Sequence, residues 1–378
     1  MMVKAFADWV AEEAQMRYGV IAENPLERVA LASGMFPTPM FEPYGAAFGR
    51  ALMVATKLGI FDVLAEAPLD AAALARRCEI DDRAAEKLMN LLVGMRYLKK
   101  TSDGLYRLTN VARRWVLSDQ PGSVRDMVLM KFLEWEWFEG IEAFIRTGKP
   151  LEVHASMRPD DWGLYQRGMR AQAGLAGSWL ARALALPPGA TTMLDIGGSH
   201  GHFSAELCRR HPGLSSVVLD LPEAVEQAAP LLAAEGMDDR VVHRAGDALI
   251  DDLGTEAYDL ILAFSVVHHF DADTNRALAK RCARALRPGG IYVIGDLMRP
   301  ESPSEASAQD LFYDLYFALT SRSGLWSTDE MAEWQRTAGL KPQKPKRLIM
   351  GQGPVLQIAS RPALGPNGGG PSADRPVA

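Results

Sequence analysis

The stretch TTMLDIGGSHGHFSAEL, residues 191–207, sets a carboxylate and three glycines between an apolar run and a helical pattern. Glycines at such a junction let the backbone come close to a ligand, and the helix beyond offers free N–H donors at its first turn. A nucleotide phosphate, a dinucleotide and a sulfonium nucleoside are the ligands that such a loop holds. Further along, VVHHFDADTNRAL places His268 and His269 directly after another apolar run. Imidazole, with an ordinary pKa of about 6.5, can take a proton from a hydroxyl near neutral pH, so one of the pair is a candidate general base.

The three ligands can be told apart. A dinucleotide loop needs G-x-G-x-x-G, but counting from Gly197 the third and sixth positions are Ser199 and His202. A phosphate loop needs Gly-Lys followed by Ser or Thr, whereas Gly148-Lys149 is followed by Pro150. What fits is D-x-G-x-S-x-G, running from Asp195 through Gly197, Gly198 and Ser199 to Gly201, a close variant of the loop that holds S-adenosylmethionine. Asp220, followed by Leu221, closes the run SSVVLD, where a carboxylate accepts from ribose hydroxyls and repels a phosphorylated ribose. Asp247, between Gly246 and Ala248, closes the next, where a carboxylate can meet an adenine amino group. Ser265, at the end of LILAFSVV, joins the cofactor-binding candidates. Asp296 ends YVIGD and is placed to orient the far nitrogen of an imidazole.

These residues need a scaffold that brings strand ends together. From residue 193 the pattern alternates strand and helix through TMLDIG, SAELCRRH, SSVVLDL, AVEQAAPLLAA, RVVHRAGD, YDLILAFSVV, ADTNRALAKRCARAL and GIYVIGDLM. Such alternation predicts an α/β fold, a parallel Rossmann-like sheet covered by helices, with its ligand at the carboxyl ends of the strands. Upstream, FGRALMVATKLGIFDVLAE, DAAALARRCEI and DRAAEKLMNLLVGMRYL read as three helices. LKKTSDGLYRLT reads as a β-hairpin turning at Asp103-Gly104, which completes a winged helix. The first ~30 residues read as an amphipathic helix with Phe6, Trp9 and Val10 on one face, and residues 120–185 as wholly helical. The expected organisation is a helical winged-helix domain over 1–118, a cofactor-binding domain with a helical substrate segment over 119–362, and a Gly/Pro-rich disordered tail over 363–378.

Bulk properties narrow the class. The chain has 378 residues, 48% hydrophobic and 23% charged, enough for two ordinary globular domains. A net charge of −6 gives no general attraction to nucleic acid or anionic lipid. In the winged helix, Asp81, Asp82 and Glu86 stand where a recognition helix would meet phosphates, which argues against DNA. Cys78, Cys208 and Cys282 are scattered, which fits a reducing cytoplasm, and no apolar run is long enough to span a membrane. His200 and His202 form an HxH with no further ligand at suitable spacing, so no metal is expected. Aromatics around Trp137 and Phe317, with Met169, are candidates to wall a pocket for a flat substrate, and Asp314 is an acid within an apolar helix.

MLDIGGSHG, VVLDLPEAV, RVVHRAGDAL, VVHHFDADTNRALAKRCARALRPGG and VIGDLMRP together resemble the successive motifs of the plant-type small-molecule O-methyltransferases, a class I methyltransferase family. LGIFDVLAE, LARRCEI, LLVGMRYL and DGLYRLT resemble that family's winged-helix dimerisation domain, so the likeness covers roughly residues 40–360. The resemblance implies a metal-independent, homodimeric methyltransferase acting on a hydroxyl of an aromatic or polyketide-like small molecule. It implies His268 as the catalytic histidine and Asp296 as the first of two acids flanking it; His269, Asp314 and Trp326 join Trp137, Met169 and Phe317 as candidate substrate contacts. The family's second acid would stand where this chain has Trp326, in SRSGLWSTDE. That departure keeps open C-methylation, or non-methylating chemistry with the same bound cofactor.

Overall fold

The computed structural model describes residues 20–22, 24–304, 306–347 and 353–363. The expected first helix, with Phe6, Trp9 and Val10, and residues 364–378 of the expected tail lie outside them. The described residues pack as two units, those of 20–149 with 153–177, and those of 150–152 with 178–363. The expected boundary at 118/119 therefore differs from the division by packing, which groups the helices between 125 and 177 with the first unit.

In the first unit, helices Ala71–Cys78 and Asp82–Gly94 start where Asp70 and Asp81 accept hydrogen bonds from the amides of Ala73 and Ala84, at 2.7 and 2.8 Å. Strand β1 (Leu98–Lys100) pairs antiparallel with β2 (Tyr106–Leu108), and Gly104 turns the hairpin at φ 82°. Phe61, Leu64, Leu74, Met89, Leu92 and Tyr106 are fully buried between these elements, so the hairpin closes the helices' apolar faces. This is the winged helix expected from the pattern. Two helical readings need correction. FGRALMVATKLGIFDVLAE is two helices, Pro43–Lys57 and Ile60–Glu66, because Gly59 sits between them at φ 71°. Residues 120–185 divide into Arg125–Phe138, Ile141–Thr147, Val153–Ser156 and Pro159–Ala183, with Gly148 at φ 68° and Pro150 among the breaks.

The second unit is built on a seven-stranded sheet in the order β5-β4-β3-β6-β7-β9-β8. The parallel strands are β3 (Thr192–Ile196), β4 (Ser215–Asp220), β5 (Val241–Ala245), β6 (Tyr258–Phe264) and β7 (Leu286–Asp296). β9 (Val355–Ser360) runs antiparallel to β7, and β8 (Lys341–Pro342) lies on its outer edge. Leu194, Ile261, Leu262 and Val293 are completely buried, as strands covered on both faces require. The order reverses between β3 and β6, and beside such a switch point the strand ends open a crevice for a ligand. Among the described residues no helix is long and apolar enough to cross a membrane.

Candidate active site

The loop after β3 is tied down on several sides. The amide of Gly197 donates to the carbonyl of Leu219, and that of Gly201 to Gly198. Gly197, Ser199 and Gly201 all have positive φ, at 62°, 52° and 72°, so the backbone winds through a left-handed region that a serine enters at some cost. Asp220, ending β4, accepts from the Ser199 amide through Oδ2 and from the Leu221 amide through Oδ1, both at 2.8 Å. Burial pushes its carboxyl up to about 6, against the pull of those two amides. At the end of β5, Asp247 takes the Leu249 amide on Oδ1 and gives its own amide to Asp251.

The glycines serve a purpose that spacing alone did not show. A Cβ on Gly197 would lie 2.6 Å from Val266, one on Gly198 2.5 Å from the carboxyl carbon of Asp195, and one on Gly201 2.7 Å from Leu232. Gly246 is likewise closed in by Asp251. Their missing side chains thus seat the loop on the protein. Asp195 lies beneath the loop at 1% exposure. Its Oδ2 accepts from Ser204 at 2.6 Å, Ser204 also bonds Ser216, and Oδ1 has no partner. Burial lifts this carboxyl to about 7, with Asp220 adding to the rise and Ser204 opposing it.

Beyond β6, Ser265 has φ 57° and its amide donates to the Gly295 carbonyl on β7. A single 3-10 turn, Val267–His269, follows. It delivers His268 to the end of β7, where Nδ1 lies 2.9 Å from both oxygens of Asp296. His268 and Asp296 are 3% and 1% exposed. An ionised carboxylate only accepts, so the proton resides on Nδ1 and the Nε2 lone pair is left for chemistry. The ring of Phe317 lies against this imidazole, centroids 3.8 Å apart, and His269 meets it edge-on at 4.2 Å.

Trp326 stands at the position expected of the second acid and supplies a hydrogen-bond donor there. Its Nε1 donates to the carbonyl of Val267 at 3.1 Å, fastening the turn immediately before His268. The Asn275 side-chain amide donates to the same carbonyl and to that of Phe270. His269 Nδ1 is 2.7 Å from the Ser321 hydroxyl. Asp314 receives the amide of Leu325, which accounts for an acid on that helix.

Comparison with known proteins decides what this arrangement belongs to. An O-methyltransferase domain model matches residues 146–341, and an O-methyltransferase dimerisation domain model matches residues 43–118. The chain belongs to the O-methyltransferase family. It is an S-adenosylmethionine-dependent O-methyltransferase. A similar O-methyltransferase is the 3-hydroxy-5-methyl-1-naphthoate 3-O-methyltransferase of Streptomyces sahachiroi, 30% identical over 77% of this chain and 85% of that protein. Another is the tetracenomycin polyketide synthesis 8-O-methyl transferase TcmO of Streptomyces glaucescens, 30% identical over 77% and 87%. In fold, the chain is similar to human N-acetylserotonin methyltransferase solved in complex with SAM. The TM-score is 0.77 at 20% identity, covering 91% of this chain and all of that one.

Within this O-methyltransferase the expected residues group as follows. Asp195, Gly197, Gly198, Ser199, Gly201, Asp220, Leu221, Gly246, Asp247, Ala248 and Ser265 all belong to the ends of β3–β6 or the turns after them. His268, His269, Asp296, Phe317 and Trp326 are joined by the contacts above. Trp137 and Met169 lie on helices of the first unit, Arg125–Phe138 and Pro159–Ala183. Four contributors carried no sequence signal: Ser204, His243, Asn275 and Ser321. Ser204 and Asn275 bond residues within 12 positions of them, whereas the partners of His243 and Ser321, which are Ser199 and His269, lie 44 and 52 positions away. Of the two histidines in the HxH, His202 is paired with Glu235 at 2.9 Å, and Glu235 also binds Arg209. Among the described residues, no group of three or more His, Cys, Asp or Glu is placed to hold a metal ion.

Proposed function

We propose that this enzyme methylates a hydroxyl on an aromatic or polyketide-like small molecule, with His268 as general base and Asp296 as its orienting partner. The residues at the strand ends suit the cofactor. Asp220 stands within 2.8 Å of the loop amide where a phosphate would have to sit, so the donor set favours a nucleoside without phosphate. Asp220 and Asp247 would hold the ribose and adenine, and the outer face of the Gly197–Gly201 loop the amino-acid end. When bound, S-adenosylmethionine supplies an electrophilic methyl group on a sulfonium.

The chain's own residues prepare the acceptor oxygen. His268 Nε2 takes the hydroxyl proton, and the imidazolium that results is stabilised by Asp296 across Nδ1. Phe317 against the imidazole face keeps water from that side. The Trp326–Val267 bond holds the turn without a second acid, which supports ordinary O-methylation over the rearranging alternative. The observation that carries the reading is the buried His268–Asp296 pair at adjoining strand ends. Incubation with S-adenosylmethionine and hydroxynaphthoates or polycyclic phenols tests it. A product heavier by one CH2 that releases iodomethane on cleavage with hydriodic acid supports the reading, and an isomerised product with intact cofactor rejects it.

We further propose a homodimer. Leu26, Val29, Met35 and Met40 in the N-terminal segment are 60–83% exposed, an apolar surface that a second copy would cover. The match of residues 43–118 to the dimerisation domain supports the same assembly.

A further inference from the structure

The loop after β3 rests on a row of three residues, one from each neighbouring strand. Asp195 on β3 is in register with Val218 on β4, and Val218 with His243 on β5. Residues in register in a parallel sheet point to the same face. The loop crosses that face in order. Gly198 sits directly over Asp195 and Val218, where a Cβ would come within 2.5 and 2.8 Å of their side chains. Ser199 then reaches His243, whose Nε2 lies 2.8 Å from its carbonyl oxygen. Because a carbonyl only accepts, Nε2 carries the proton.

Ser199 is the residue that needs such help. It is the non-glycine of the loop at positive φ, 52°, a conformation unfavourable for an L-residue. Its peptide groups are held from opposite ends: the amide by Asp220 at 2.8 Å, the carbonyl by His243 at 2.8 Å. With both bonds in place the loop is set before any ligand arrives, and a preset loop spares the ligand that ordering.

We infer that His243 is a positioning residue for the cofactor loop, locking Ser199 in its left-handed conformation through Nε2–H while touching neither cofactor nor acceptor. This rests on the reading of the loop as the cofactor site. The role needs a donor at the Nε2 position, and a glutamine amide reaches that point whereas an asparagine amide falls short.

Calorimetric titration with S-adenosylhomocysteine tests this on the wild-type chain and on His243→Ala, His243→Asn and His243→Gln, together with kcat and KM for S-adenosylmethionine. Alanine and asparagine are expected to weaken binding by about 5- to 10-fold, the loss of one hydrogen bond. KM rises in step and kcat at saturating cofactor changes less than about twofold, with glutamine restoring most of the affinity. The inference is overturned if alanine binds as tightly as wild type, if glutamine is as weak as alanine, or if kcat falls while affinity holds. Absence of binding by the wild-type chain would instead reject the cofactor loop itself, and the role of His243 with it.

Discussion

His268 Nδ1 lies 2.9 Å from each oxygen of Asp296, and both residues are almost fully buried. A buried histidine bonded on one nitrogen is fixed in tautomer and direction, which is what a base at a strand end requires. His268→Ala is expected to lower kcat by ~10²–10⁴ while S-adenosylhomocysteine binds as before. Steady-state kinetics with parallel calorimetry checks this, and equal losses in both would remove His268 from the chemistry.

Trp326→Phe keeps the ring against Trp334 but deletes the donor to the Val267 carbonyl. One hydrogen bond of this kind is worth about 0.5–1.5 kcal/mol. Urea unfolding should show a loss of that size, with a several-fold fall in kcat because the turn carrying His268 is less firmly held. An unchanged kcat would make the indole a packing residue only.

The raised carboxyls of Asp195 and Asp220 give a pH dependence of definite sign. Folding holds their protons up to about 7 and about 6, whereas in the unfolded chain they leave near pH 4. The ligand-free protein therefore binds more protons folded than unfolded between those limits. The stability from this pair is full below pH 4 and is lost as pH rises through 6 to 7, on the order of a few kcal/mol. Thermal melts across pH 4–8 in the absence of cofactor read this out. A sulfonium ligand favours the ionised acids, so binding should release protons near pH 6. Calorimetry of S-adenosylmethionine in two buffers of different ionisation enthalpy measures that release.

Leu26→Asp with Val29→Asp places charge on two exposed apolar positions of helix Pro25–Ala32. Light scattering after gel filtration should show the wild type at twice the chain mass and the double variant shifted towards monomer. A wild type that elutes as a monomer would refute the proposed assembly.

Much of this was legible before any coordinates. Strands β3–β7 announce themselves as short apolar runs between helical segments, and Asp195, Asp220, Asp247 and Asp296 lie at or within two residues of the carboxyl ends of four of those strands, so parallel pairing alone carries them to one edge. Local pattern does not report on partners far apart in sequence. His243 becomes meaningful once β5 is known to lie beside β4 in a register that sets it opposite Val218. Spacing shows that Trp326 stands at an acid's position, but not the Val267 carbonyl that its indole reaches. Spacing marks the glycines for ligand approach; their crowded Cβ positions against Val266, Asp195 and Leu232 are an additional fact of the folded chain.

The turn Val267–His269 is fastened residue by residue to one short segment: Val267 to Trp326, His268 to the Gly324 amide, and His269 to Ser321. That segment directly follows helix Ala308–Thr320, which supplies Phe317. In the proposed mechanism, the wall that Phe317 offers to the acceptor and the aim of the base are thus mechanically linked. An engineer who transplants this helix from a relative to obtain a new product would also be re-aligning the proton abstractor, and should exchange residues 308–326 and 265–270 as one cassette.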